Sequence, residues 1–223
     1  MKTSNYNSSK KAVNRIANLI ILDRSGSMGS IRRQAIDGVN ETLGAIRSAQ
    51  RTTGVPQTIT LCSFCACEMR DTYVDAPVDE ARNFTPDDYV PCCCTPLYDA
   101  IGRCCTQLKT RIGADAATTA VSVTIITDGY ENASREWTGA SVASLIKSLQ
   151  SEGWLFAYIG ANQDTAQVSY NLNIKNHCSF EADAEGTEAM FAKERSSRMK
   201  WVNKVSCMMP NTDLSDLNED YFD

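Results

Sequence analysis

Four stretches of nearly unbroken β-branched and aliphatic residues constrain this chain most: "RIANLIIL" (15–22), "QTITLCSF" (57–64), "AVSVTIIT" (120–127) and "WLFAYIG" (154–160). A strand with one wet face alternates apolar and polar residues, whereas an unbroken apolar run suits a strand covered on both faces, as in a parallel sheet. Parallel strands need crossovers, and three amphipathic stripes supply them. Ile31, Ala35, Val39, Leu43 and Ile46 make the first; Leu97, Ile101, Cys104, Cys105, Leu108 and Ile112 the second; Val142, Leu145, Ile146 and Leu149 the third. One connection differs. After "TLCSF" the chain turns through "CACE" into the extended run "MRDTYVD" with no room for a helix, which predicts a hairpin and one antiparallel edge strand. "HCSFEA" (177–182) predicts a last edge strand and 184–205 a helix. Right-handed crossovers then give an α/β fold: a doubly wound, Rossmann-like, mostly parallel sheet with helices on both faces.

The 223 residues, 43% of them apolar, suffice for one medium domain with its own core. The chain reads as one domain over 15–205, after a polar, flexible N-terminus (1–14) and before an acidic tail (206–223) expected to be disordered. A net charge of −5 gives no overall attraction to nucleic acid or to an anionic membrane. The early apolar run, Ile16 to Leu22, is too short to span a bilayer, and the polar start lacks the apolar stretch of a signal peptide, so a cytoplasmic location is expected.

In open α/β sheets, ligands bind outside the carboxyl ends of the strands. Three stretches end there with oxygen donors: Asp23, Ser25 and Ser27 in "DRSGSM", Thr95 in "CCCTPLYDA", and Asp128 in "TIITDG". Residues two apart in extended backbone point to one side, so the first three side chains can converge as the strand opens into a loop. Two carboxylates and three hydroxyls form an all-oxygen set of the kind hard cations such as Mg²⁺ or Mn²⁺ prefer. Taken alone, "DRSGS" could instead cap a helix and "DG" could be a simple turn.

These motifs, with "TDGYENASREWT" and "GWLFAYIGANQD", resemble in order the blocks of von Willebrand factor A-type (vWA) domains of a bacterial or phage branch, across about residues 15–170. The resemblance implies a metal ion-dependent adhesion site. In it Ser25, Ser27 and Thr95 would touch a Mg²⁺, Mn²⁺ or Ca²⁺ ion directly, and Asp23 and Asp128 would act largely through waters. It further implies a module that performs no reaction and binds a protein partner, whose Asp or Glu carboxylate completes the shell, as in an adaptor or scaffold of a bacterial or phage complex. Where many relatives have a small residue before the Thr, this chain has Cys94. Asp99, one turn into its helix, suits hydrogen bonding or the helix dipole.

Other chemistries fit less well. "GSMGS" lacks the phosphate-loop fingerprints. A metal-dependent phosphohydrolase, the alternative from another class, would normally place a second Asp where Ser25 stands. The single histidine, His177, which a Ser-His-Asp or Cys-His enzyme would have to use, lies late in the chain near the expected sheet edge and reads as a surface or edge residue. "KERSSRMKWVNK" (193–204) reads as a solvated basic face before it reads as an RNA contact, although an RNA-associated scaffold remains the other alternative. Asp213, Asp216, Glu219 or Asp220 of the tail offer a carboxylate for self-association.

Ten cysteines are many for a domain this size, and without an export signal reduced thiols are expected. Cys65 and Cys67 of "CAC" fall at the same sheet edge as Cys92, Cys93 and Cys94. They read either as unrelated small residues or as a Zn²⁺ or redox-sensitive cluster.

Overall fold

The computed structural model describes residues 13–161, 164–208, 213–214, 218 and 220–222. β1 (Arg15–Asp23) leads through a short 3₁₀ turn (Gly26–Ile31) into α1 (Arg32–Thr53), followed by β2 (Gln57–Cys65), β3 (Glu68–Pro77) and α2 (Leu97–Ile112). Then come β4 (Thr119–Thr127), α3 (Gly139–Ser151), β5 (Leu155–Ala161), α4 (Thr165–Asn171), β6 (Asn176–Phe180) and α5 (Ala184–Ser206). The sheet order is β3-β2-β1-β4-β5-β6, with every pair parallel except the β2–β3 hairpin.

The unbroken apolar runs have a direct explanation in the two cores. Leu19 and Ile21 of β1 and Val123 and Ile125 of β4 pack under α2 and α3, while Ile20, Leu22 and Ile126 pack under α1 and α5. Both faces are covered, so both alternate sets are apolar. All five residues of the first stripe and all six of the second are buried, Cys104 and Cys105 included. Helices α1 and α5 approach so closely that a Cβ on Gly38 would sit 2.1 Å from the Phe191 ring, so no larger residue fits there without movement.

The basic helix is not a solvated face throughout. Arg198, 1% exposed, bonds Glu194 Oε1 through Nε (2.9 Å) and Nη2 (2.5 Å), Asn18 Oδ1 at 2.6 Å and Thr124 Oγ1 at 2.8 Å. Arg195 pairs with Glu41 of α1. These two cations are spent on packing α5 to the sheet and to α1, since a buried charge is tolerated only with partners. The tail, poor in core residues by composition, still contributes where it is described. Tyr221 is buried and donates to Glu194 Oε1 at 3.3 Å, and Trp201 Nε1 donates to Asn218 Oδ1 at 3.1 Å. Of the acidic residues considered for self-association, Asp216 and Glu219 lie outside the described residues, as do 1–12 of the N-terminus. No described helix is long and apolar enough to cross a membrane.

Candidate metal centre

β1 and β4 run side by side in register, with Leu22 opposite Ile126, so the carboxyl ends of both strands arrive together at the sheet edge. Asp23 closes β1 and Asp128 follows β4. Topology alone therefore brings two carboxylates from positions 105 residues apart to one place. Ser25 and Ser27 enter from the loop after β1. Ser25 is extended (φ −66°, ψ 165°), but Ser27 already lies in the 3₁₀ turn, so the convergence comes from the loop folding back, more than from strand alternation.

The oxygens form a continuous chain. Asp23 Oδ1 accepts from Ser25 N at 2.7 Å, Ser25 Oγ and Ser27 Oγ lie 3.2 Å apart, and Ser27 Oγ donates to Asp128 Oδ1 at 2.6 Å. The other oxygen of Asp23 accepts from Thr127 Oγ1 at 2.6 Å. Thr95 joins from the loop before α2. A Cβ built on Gly129 would lie 3.3 Å from Thr95 Oγ1 and 3.9 Å from both Asp23 Oδ2 and Ser27 Oγ. That point is therefore flanked by oxygens from two separate stretches, and the bond from Ser27 to Asp128 adds the third, so all five expected residues are brought together.

Asp23 is fully buried, and Ser25, Thr95 and Asp128 nearly so, whereas Ser27 is exposed. Burial pushes the Asp23 carboxyl up to about 6, against the opposing hydrogen bonds from Thr127 and Ser25. Burial likewise raises Asp128, against its bond from Ser27. Among the described residues, no lysine, arginine or histidine lies within ion-pair distance of either carboxylate. Two desolvated carboxylates without a cationic side chain, ringed by hydroxyls, are a donor set that fits a hard divalent cation. The capping alternative does not hold: neither Ser25 ahead of the 3₁₀ turn nor Ile31 ahead of α1 makes a side-chain cap bond.

Several supporting residues carry no signal of their own in the sequence. Tyr89, fully buried, donates to the Asp23 carbonyl at 2.6 Å, and Arg32 holds the Tyr89 carbonyl at 2.7 Å. Thr95 N donates to Asn132 Oδ1 at 2.8 Å and its carbonyl accepts from Asn132 N at 3.1 Å, which fixes the loop carrying Thr95 to the one after Asp128. Glu131 accepts from Tyr98 N, Ala133 N, Ser134 N and Ser134 Oγ. Asp99 serves as a hydrogen-bonding residue, accepting from the amides of Arg135, Glu136 and Trp137. Thr127 and Gly129 flank the recognised Asp128, and the block "TDG" is the one clue that pointed near them.

Cys67 and Cys93 are joined as a disulfide, with Cα atoms 6.6 Å apart; reduced thiols are the first expectation from the sequence, and this bond is of the kind the redox-sensitive alternative for the cluster allows. The β2–β3 turn and the loop before Thr95 lie close enough for bonding. His177 is exposed on edge strand β6, remote in topology from the β1–β4 junction.

No family profile and no curated protein matches the sequence. Solved structures do match the fold. The pilus adhesin SpaC from Lactobacillus rhamnosus GG superposes with a TM-score of 0.64 at 13% identity, over 86% of this chain and 31% of that one. The SpRpn10 VWA domain gives a TM-score of 0.57 at 11% identity, over 80% of this chain and 94% of its own. Manganese-loaded Plasmodium vivax TRAP gives a TM-score of 0.53 at 14% identity, over 79% and 72% respectively. The chain spans about a third of the SpaC chain it matches. Six strands in this order, one antiparallel edge pair, helices on both faces and these structural neighbours identify the architecture: the chain has the von Willebrand factor A fold.

Proposed function

We propose that the protein is a divalent-cation-dependent protein-binding module that performs no reaction, and that a carboxylate of its partner completes the cation's shell. One observation carries this reading: oxygens of Asp23, Ser27 and Thr95 surround a single point beside Gly129, linked by hydrogen bonds to Ser25 and Asp128. Ser25, Ser27 and Thr95 would hold Mg²⁺, Mn²⁺ or Ca²⁺ through neutral hydroxyls, while Asp23 and Asp128 orient those hydroxyls and waters. When bound, the cation supplies a Lewis-acidic position for an incoming anion. Three neutral donors leave much of its charge uncompensated, which favours a carboxylate from outside. The exposed Ser27 marks the side from which that carboxylate would arrive. A manganese-loaded neighbour is in keeping with divalent-ion binding by this fold. A phosphohydrolase reading has Ser25 where a second carboxylate would be needed.

The experiment is capture of partners by the full chain in Mg²⁺ and in EDTA, identified by mass spectrometry and repeated with the purified partner. Binding should vanish in EDTA, return with Mg²⁺ or Mn²⁺, and fail when one partner Asp or Glu is neutralised. Unchanged binding in EDTA would refute the proposal. An adaptor role in a bacterial or phage complex, in the cytoplasm, belongs to the same proposal.

A further inference from the structure

Outside the oxygen site, the described residues hold a cluster of metal-ligating side chains made of sulfur. Cys65 ends β2, Cys67 sits in the β2–β3 turn, and Cys92 and Cys93 lie in the loop ahead of Thr95. The sulfurs of Cys65, Cys67 and Cys92 all lie within 4.8 Å of one another, with Cys65 Sγ and Cys92 Sγ 3.2 Å apart. The fourth sulfur, that of Cys93, is bonded to Cys67 and so adjoins this group, although it does not lie within 4.8 Å of all three. We propose that, once reduced, these four cysteines form a tetrathiolate site for one Zn²⁺.

Three features of the surroundings favour this. Zinc–sulfur bonds of about 2.3 Å in a tetrahedron separate the sulfurs by about 3.8 Å, which is the scale of this cluster. Arg24, 5% exposed, places Nη2 3.5 Å from Cys65 Sγ and 2.9 Å from Glu68 Oε2, while its Nε has no acceptor. Arg24 is already paired with Glu68, so its contribution is as a buried donor to the Cys65 sulfur, and hydrogen bonds to ligand sulfur tune such sites. Finally, Cys93 adopts φ 60°, a left-handed conformation costly for a residue with a side chain. Such conformations persist where surrounding structure demands them, often at ligand clamps.

The backbone around the cluster is already tied together. Cys92 N donates to the Arg24 carbonyl at 2.8 Å, Gly26 N to the Cys93 carbonyl at 3.0 Å, and Ala66 N to the Cys94 carbonyl at 3.0 Å. Two stretches thus present two sulfurs each, at spacings (one residue between Cys65 and Cys67, none between Cys92 and Cys93) closer than those of common zinc motifs. A cavity lined in part by Cys65, Cys67 and Cys94 gives the ion a route in.

The chemistry balances in two steps. Two molecules of a small thiol reductant supply two electrons and two protons, break the Cys67–Cys93 bond and leave as one disulfide. Zn²⁺ then displaces four thiol protons and forms four Zn–S bonds.

The test uses the full chain without a chelating tag, purified under a phosphine reductant. Elemental analysis should find one zinc per chain. Co²⁺ exchanged into the wild-type protein should give sulfur-to-cobalt charge-transfer bands and the strong visible absorption of a tetrahedral site. Cys65→Ser and Cys92→Ser should each lose the zinc, whereas Cys178→Ser and Cys207→Ser should keep it. The cobalt spectrum of the wild type keeps the test valid even where a serine variant misfolds. A reduced wild-type protein without zinc, whose four thiols react freely with a thiol reagent, would overturn the proposal. So would a Cys65→Ser protein that still carries one zinc, or a Cys67–Cys93 disulfide that survives the reductant in the folded chain.

Discussion

Ser27 Oγ donates to Asp128 Oδ1 at 2.6 Å, across 101 residues of sequence. This bond links the loop after β1 to the end of β4, and it joins an exposed residue to a buried carboxylate. Asp128→Ala should therefore leave the fold intact, because no strand pairing depends on the side chain, while lowering Mg²⁺ affinity by about 10–100-fold, the scale seen when groups orienting metal ligands are removed. Titration calorimetry with Mg²⁺, alongside circular dichroism, checks both halves.

Gly129 gives a steric version of the same test. Its missing Cβ leaves open the point beside Thr95 Oγ1, Asp23 Oδ2 and Ser27 Oγ. Gly129→Val should fill that space and cut Mg²⁺ affinity at least about tenfold, equivalent to about 1.4 kcal/mol. Gly129→Ala, which requires Thr95 Oγ1 at 3.3 Å to give by a few tenths of an ångström, should have a smaller effect.

The buried Asp23 carboxyl makes metal binding pH-dependent. Its folded value of about 6 lies above the ordinary 3.8, so the metal-free fold binds this proton more readily than the unfolded chain. Through this group, metal-free stability should fall as pH rises from about 4 to above 6, by at most about 3 kcal/mol. Asp88 acts in the opposite sense. The Arg82 guanidinium holds it well below the usual carboxylate range, so its contribution is lost as pH falls. The comparison is therefore wild type against Asp23→Asn in urea unfolding with EDTA, where only the wild type should carry the Asp23 dependence. Mg²⁺ must displace that proton, so its affinity should drop about tenfold per pH unit below about pH 6.

Arg198 and Glu194 form a buried pair, each about 2% exposed or less at the side chain. Glu194→Gln should destabilise by about 3–5 kcal/mol, because it leaves the Arg198 charge uncompensated in the core. Replacing both, as Arg198→Met with Glu194→Leu, should cost much less. Urea denaturation of the two variants separates these outcomes.

The apolar runs and helical stripes made the sheet and its layers legible, because burial on both faces leaves a composition signature that does not depend on distant partners. The convergence of the five oxygen residues was legible because Asp23, Ser25, Ser27 and Asp128 lie at or just after strand ends and Thr95 lies just before a helix, all at the same sheet edge. What escaped depended on long-range pairing. Thr127 and Tyr89 matter through bonds to Asp23 that only the β1–β4 register and the loop after β3 create. Arg198 reads as surface charge until α5 is laid across Asn18 and Thr124. Tyr221 is one aromatic in an acidic tail, and nothing local distinguishes it from a frayed end. The meeting of the two cysteine-bearing stretches followed from the topology, but which pair bonds, Cys67 with Cys93, is not encoded in spacing along the chain.

Electron paramagnetic resonance of Mn²⁺ added to the full chain tests the central claim most directly. One Mn²⁺ per chain should leave the free-ion signal, be displaced by Mg²⁺, and return to solution in Asp128→Ala and in the Ser25→Ala, Ser27→Ala double variant. Undiminished free Mn²⁺ with the wild-type protein, or equal binding by the variants, would contradict a cation held among Asp23, Ser25, Ser27, Thr95 and Asp128.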